Sequence, residues 1–307
     1  MIKKITIKDF EDAIGEKLTA NLKSKILECD FSYEELETSE RDYLISDIIK
    51  FLLDDFVIRA GEHRAKDWDQ GWSENYTEFS TTGTLESLVP KYFGKYKYVR
   101  WQSEWIKPVS QDFEYNMARV LQYWLFEKFF KNSDYVYEFG CGTGHNLLRV
   151  KEINSHAELC GLDWATSSQD SITEINEKLG TNISSKNFNF FDFDKSYQLQ
   201  QNSGVYTFAA LEQIGDKYHD FVNFLVNNQP GVCLHVEPMG EFLEEQNLCD
   251  FLSIKYFEKR NYLNGFMKHL EQLESNGKIE IIYKKKSFIG SLYINGYSIV
   301  AWRIKNA

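Results

Sequence analysis

Glu138, Gly140, Gly142 and Gly144 form the run Glu-Phe-Gly-Cys-Gly-Thr-Gly, which directly follows Tyr135-Val-Tyr137. A β-branched and aromatic run entering a glycine-rich turn, with Leu147, Leu148 and Val150 at helical positions beyond it, reads as a buried strand, a tight loop and a helix packed on a sheet. Side-chain-free positions let a ligand approach the backbone. A dinucleotide loop uses G-x-G-x-x-G to seat a pyrophosphate on the helix N-terminus, and a carboxylate at position 138 opposes an anion there. A ligand with positive charge suits it better. Asp163, the last residue of Glu158-Leu-Cys-Gly-Leu-Asp163, lies 19 residues after Gly144. That is close to the roughly 20 that separate such a loop from a ribose-binding carboxylate, whose two oxygens can accept both ribose hydroxyls.

These residues resemble the first motif of the class I S-adenosylmethionine-dependent methyltransferases, an acidic residue followed by G-x-G-x-G, and Glu138, Gly140, Gly142 and Gly144 match it without a gap. The resemblance covers about residues 110 to 307. It implies S-adenosylmethionine, with its sulfonium and ammonium charges, as cofactor. It also implies an α/β, Rossmann-like, seven-stranded and mostly parallel sheet whose last strand inserts antiparallel beside the fifth. Further cofactor-binding roles follow from it for Asn146 at the helix start, for Trp164 beside the adenine, and for Ala209 and Leu211 in the loop after a fourth strand. A third strand is expected in Phe188 to Asp194, where Asp192 would accept the exocyclic amine and Phe193 would cover the ring. Trp164 as a packing residue and Asp192 as a helix cap are the competing readings. The Asn/Asp-Pro-Pro-aromatic motif of many nucleobase and amide N-methyltransferases is absent, which argues against DNA adenine or glutamine as acceptor.

A fifth strand, Val232 to Val236, carries His235 and Glu237 toward the sheet's carboxyl edge, where ligands bind in open α/β sheets. Their i, i+2 spacing puts both side chains on one face. If the acceptor is a hydroxyl, His235 is the first candidate for general base, because its unperturbed pKa lies near working pH, and Glu237 is the second. Lys278 to Tyr283 and Tyr297 to Ile304 are two further strands around a turn-rich segment, matching the hairpin with which the family's domain closes.

What positions this machinery on the N-terminal side is a segment over residues 1–109, expected as a helical extension and an aromatic-rich cover, ahead of a catalytic domain over 110–307. Residues 9 to 29 and 33 to 59 carry helical spacing, as does Gln111 to Lys131. His63 to Pro108 shows no clear period and holds Trp68, Trp72, Trp101 and Trp105, so it reads as an irregular substrate-binding cover. Arg100 and Trp101 are its candidate substrate-binding residues, with Arg64 or Lys107 as further anion binders. Asn247 to Asn276 outlines one or two helices, from which Arg260 and Tyr262 could face the acceptor.

Hydrophobic residues at 43% and aromatics at 16% exclude a disordered chain. No apolar run reaches the roughly 20 residues needed to cross a bilayer, and the start lacks the apolar core of a signal peptide, so a cytoplasmic protein without membrane contact is expected. Five cysteines without C-x-x-C spacing and six histidines without ligand spacing indicate neither a disulfide framework nor a bound metal. The net charge of -11 opposes duplex DNA as partner. The sequence thus leads to a methyltransferase acting on a small molecule, with a hydroxyl of a sugar, nucleotide-sugar or secondary metabolite as acceptor, and leaves the oligomeric state open. Methylation of protein or RNA, a silent S-adenosylmethionine-binding partner subunit and an aminopropyltransferase are the other readings.

Overall fold

Strands and helices alternate from Phe113 onward because short β-branched and aromatic runs are separated by segments of helical period. The computed structural model describes residues 1–305. Before that alternation come β1 (Ile2–Lys4), α1 (Ile7–Ile14), α2 (Ala20–Leu27), β2 (Ser32–Glu35), α3 (Thr38–Leu53), α4 (Ala65–Thr82), β3 (Val99–Trp101) and β4 (Glu104–Pro108). The alternating part comprises α5 (Phe113–Phe129), β5 (Tyr135–Phe139), α6 (His145–Ile153), β6 (Glu158–Asp163), α7 (Thr166–Leu179), β7 (Ile183–Asn187), β8 (Ser203–Phe208), α8 (His219–Asn228) and β9 (Val232–Glu237). It closes with α9 (Leu248–Arg260), α10 (Phe266–Ser275), β10 (Ile279–Lys286), β11 (Ile289–Gly290) and β12 (Ser298–Ile304).

The large sheet has the order β10-β12-β9-β8-β5-β6-β7. Strands β5 to β9 pair in parallel, and β12 lies antiparallel between β9 and β10. The chain moves outward from β5 through β6 to β7, then returns to β8 on the other side. The crevice where order reverses therefore lies between the carboxyl ends of β5 and β8, the place where open α/β sheets bind ligands. Period-two alternation feeds two cores, one per sheet face. Val136, Tyr206, Leu234 and Val236 pack against α5, α6, α7 and the N-terminal elements. Tyr137, Phe139, Val205 and Cys233 pack against α8 and α10.

The N-terminal part is not purely helical, as the spacing had suggested. It holds a second, antiparallel sheet of order β1-β2-β4-β3-β11, whose last strand comes from the loop of the C-terminal hairpin. A T-shaped aromatic chain joins the two parts: Phe10 lies 5.0 Å from Phe31, 5.4 Å from Trp101 and 5.6 Å from Phe288, and Phe31 lies 5.7 Å from Phe113. Helix 9–29 is two helices, broken after Ile14 by Gly15 in the left-handed conformation (φ 88°). Within the supposedly irregular 63–108 lies the 18-residue α4. Its inward face is Trp68, Trp72, Asn75 and Phe79, a stripe of helical period. Two polar neighbours per turn and the mid-helix Gly71 blur that period in the sequence.

The third strand is also displaced. It is β7, which ends at Asn187, and Phe188 to Asp194 forms the loop beyond. Asn189 turns the chain there: its side chain accepts from the Phe191 N–H at 3.0 Å and its carbonyl from the Asp192 N–H at 3.0 Å. Local Asx-turn chemistry overrides the apolar alternation.

Candidate functional site

The glycine turn closes the crevice between β5 and β8. Gly140, Gly142 and Gly144 have φ of 76°, 52° and 76°, conformations that strain any residue with a Cβ. A Cβ on Gly140 would meet that of Ala210 at 2.4 Å, and one on Gly142 would come within 3.0 Å of the Trp72 ring. The Gly140 N–H is held by the Leu162 carbonyl at 2.7 Å, and the Gly142 N–H by Asp163 Oδ2 at 2.8 Å. Asp163 Oδ1 accepts the Ala165 N–H at 2.9 Å. Burial pushes the Asp163 carboxyl up to about 6, against the stabilising N–H donors of Ala165 and Gly142.

Glu138 lies beneath the turn and does not line the cleft. Its Oε1 accepts from Asn146 Nδ2 at 2.7 Å and its Oε2 from the Tyr206 hydroxyl at 2.9 Å. It is fully buried, and that burial pushes its carboxyl up to about 8, partly offset by Asn146 and Tyr206. Period two explains its position. Glu138 shares a face with Val136, the α5 and α6 side of β5, whereas the ligand approaches at the strand's end. Its partner Asn146 does line the cleft, and Asn146 is held in turn by Gln122 and Arg149 at 2.8 and 3.0 Å.

Two contiguous cavities open at this edge. A narrow apolar recess is walled by Asp163, Trp164, Phe188, Phe190, Trp68 and Trp72. Gly140, Ala209, Gln213 and the two roof tryptophans line both it and a wider, open cleft. The cleft is bounded by Tyr92, Tyr262 and Tyr297, with Glu212, Arg64 and Arg260 among its polar walls. Ala209 has φ 52°, a left-handed backbone at a non-glycine residue of the kind concentrated at binding sites.

The structure therefore brings together Gly140, Gly142, Asn146, Asp163, Trp164 and Ala209 around the two cavities. Gly144 starts α6, and Leu211 is fully buried behind the loop. Asp192 is exposed and lines neither cavity, and Phe193 stacks on Phe188 at 4.5 Å. Phe188 and Phe190 are the aromatics that face the recess, because the turn at Asn189 moves Asp192 outward. Arg100 is 2% exposed, with its guanidinium 4.0 Å over the Trp105 ring and donating to the Cys249 carbonyl. It lines a small pocket that adjoins the wide cleft at Tyr92, Phe208, Ala209 and Tyr297. Trp101 belongs to the Phe10 aromatic chain, and neither residue reaches the wide cleft.

The expected base is also corrected. His235 shares the face of Cys233, and its ring packs 5.1 Å from Phe266 and 6.3 Å from Trp302. It is wholly buried, bonds Thr207 at 3.0 Å, and lines neither cavity at the sheet edge. Burial depresses its pKa to about 3. Glu237 does share that face, and its two oxygens accept the N–H groups of Ala210 and Glu212 at 3.1 and 3.3 Å. It clamps the turn after β8, and burial pushes its carboxyl up to about 7.

Of four further contributors, the sequence placed Trp68 and Trp72 in an irregular cover and gave no sign of Asp69. Trp68 and Trp72 stack at 5.4 Å and roof the recess from α4. Asp69, between them, fastens α4 to the start of α7, accepting the Ser167 N–H at 3.0 Å and its hydroxyl at 2.8 Å. Glu212 faces the cleft with burial pushing its carboxyl up to about 8, assisted by Glu237 and opposed by Gln213, Arg260 and Tyr262. The stripe Trp68, Trp72, Asn75 and Phe79 marks α4, and Glu212 lies in the leucine-glutamate pair after the fourth strand, where the resemblance gave a role to Leu211 and none to Glu212.

The fold and crevice define an α/β protein with a Rossmann-like, seven-stranded, mostly parallel sheet whose antiparallel strand lies beside the fifth parallel one. No family model matches the chain, and no curated protein matches it in sequence. Solved structures do match in shape. The cyclase SpnF superposes with a TM-score of 0.54 at 10% identity, over 82% of this chain and 98% of its own. Geranyl diphosphate methyltransferase in complex with S-adenosylmethionine gives 0.47 at 9% identity, over 65% and 93%. The plantazolicin methyltransferase BpumL, in complex with a substrate analogue and S-adenosylhomocysteine, gives 0.44 at 12% identity, over 80% and 100%. At these identities the likeness is one of fold.

Proposed function

We propose that this protein is a cytoplasmic S-adenosylmethionine-dependent methyltransferase whose acceptor is a small molecule, methylated on a hydroxyl of a sugar, nucleotide-sugar or secondary metabolite. The observation that carries the reading is the left-handed glycine turn tied to Asp163: Gly140 and Gly142 pack against Ala210 and Trp72 so closely that a Cβ has no room, beside a buried carboxylate and a recess walled by Trp164, Phe188 and Phe190. These residues fit an adenosyl ligand. Asp163 keeps lone pairs for ribose hydroxyls after its two N–H bonds, and the aromatic walls suit a purine. When bound, S-adenosylmethionine supplies an electrophilic methyl group on a sulfonium. What the chain then does is hold the acceptor atom in line at the mouth of the cleft, roughly 3 to 3.5 Å from that carbon, and exclude water with α4. All five cysteines are free thiols and four are buried, which suits a reducing compartment.

Thermal-shift titration with S-adenosylmethionine, S-adenosylhomocysteine and NAD tests the reading, since a ligand bound only to the native state raises the melting temperature. Stabilisation by NAD alone would refute it. The match to a protein named as a cyclase favours a second reading, an adenosyl-binding protein that transfers no methyl group. Release of S-adenosylhomocysteine by the pure protein with an acceptor decides between the two.

A further inference from the structure

Glu212 stands where the recess opens into the wide cleft, in the turn that Glu237 clamps. It is 7% exposed, its Oε1 accepts from Gln213 Nε2 at 2.9 Å, and its Oε2 has no partner. A buried carboxylate oxygen without a donor costs free energy unless a ligand supplies one. Across the same cleft Arg260, on the last turn of α9, also has an unpartnered buried atom, Nε, with its guanidinium 5.4 Å over the Tyr262 ring. Tyr256, one turn before Arg260 on α9, and Tyr92 and Tyr297 from two other parts of the chain complete an aromatic wall around the two groups.

Resting on the methyltransferase reading, we propose that Glu212 is the base that receives the proton of the acceptor, and that the acceptor is a hydroxyl on a flat apolar ring seated between these tyrosines. The O–H bond breaks with its proton passing to Glu212, the oxygen bonds the methyl carbon, and the carbon–sulfur electron pair stays on sulfur as a neutral thioether. A carboxyl held near neutrality by burial is matched to this task, and burial pushes Glu212 up to about 8. Arg260 fixes the choice of hydroxyl over amine. Its cation stabilises an oxygen that becomes anionic as the proton leaves, and it opposes an ammonium.

The test uses the whole protein saturated with S-adenosylhomocysteine, titrated with phenol at about pH 8.5, where Glu212 is ionised and the free phenol is still protonated, and with benzylamine in competition. The phenolate absorbance band should appear on binding to the wild type. Glu212→Gln should abolish the band and weaken binding by about tenfold or more with S-adenosylhomocysteine affinity unchanged, and Arg260→Gln should reduce the band while leaving that affinity intact. An equal band in Glu212→Gln overturns the proposal, as does benzylamine binding more tightly than the phenol. Failure of both rings to bind while S-adenosylhomocysteine binds overturns it too. Failure of S-adenosylhomocysteine itself to bind strikes instead at the methyltransferase reading.

Discussion

The Trp72 indole lies against the backbone of Gly142, so close that a Cβ there would come within 3.0 Å of it. Roof and cradle are thus in contact, and α4 cannot be indifferent to what occupies the turn. Asp69 fastens the same helix to Ser167 at the start of α7, so the roof is latched on the side where Asp163 lies. S-adenosylhomocysteine should therefore change the tryptophan emission of the protein, and Trp72→Phe should reduce the change. Emission that stays constant through a saturating titration would show that α4 does not cover the ligand.

Gly140 gives a sharper test of the turn, with an internal control in Gly180. Both have positive φ, 76° and 63°, but a Cβ at 140 collides with Ala210 at 2.4 Å, whereas one at 180 meets nothing within 4 Å. Gly180→Ala should cost only backbone strain, about 1 kcal/mol, and leave ligand affinity alone. Gly140→Ala adds a shift of the turn after β8, so its denaturation midpoint should fall further and its S-adenosylhomocysteine affinity should collapse. Equal affinities for the two variants, measured by calorimetry, would dissociate Gly140 from the site.

The cradle was legible because its constraints are local: three glycines at alternate positions and an acid at a set distance name a turn and its neighbouring strand whatever the rest of the chain does. The base was not. Whether a residue on β9 faces a cleft or a core depends on which helices cover that face, and Phe221 and Phe266, which close on His235, arrive from α8 and α10 far along the chain. Glu138 shows the same limit at shorter range. Its identity and place were readable, but the donors that claim its oxygens, Asn146 and Tyr206, are fixed by helix start and strand pairing. Asn189 likewise overruled an alternating run that looked like a strand.

His235 accordingly serves packing. His235→Ala should destabilise the fold by about 2 kcal/mol through the cavity left among Phe221, Phe266 and Trp302. It should leave S-adenosylhomocysteine affinity and the pH dependence of turnover as in the wild type. A variant of normal stability whose rate is lost at neutral pH would restore His235 as a base.

The buried carboxyls set the pH dependence of stability, and its sign can be worked out. Burial raises Glu138 and Glu212 from 4.5 to about 8 and Glu237 to about 7. Between the unfolded and folded values the native state keeps protons that the unfolded chain has released, so stability falls as pH rises, by about 1.4 kcal/mol per pH unit for each such group. His235 and His145 act oppositely, because burial lowers their folded pKa values below 6.5, but above 6.5 they are neutral in both states and drop out. Glu11, lowered to about 2 by its bonds to Lys17 and Lys23, stabilises the fold constantly above 4.5 and adds a pH dependence only below it. The clean window therefore runs from 6.5 to 8. In the ligand-free protein the urea midpoint should fall steadily across it. Glu138→Gln should flatten that slope, since it removes a titrating group while its amide oxygen still accepts from Asn146. A midpoint that rises from pH 6.5 to 8 would mean that these carboxyls are ionised in the native state, and the account of their burial would fail.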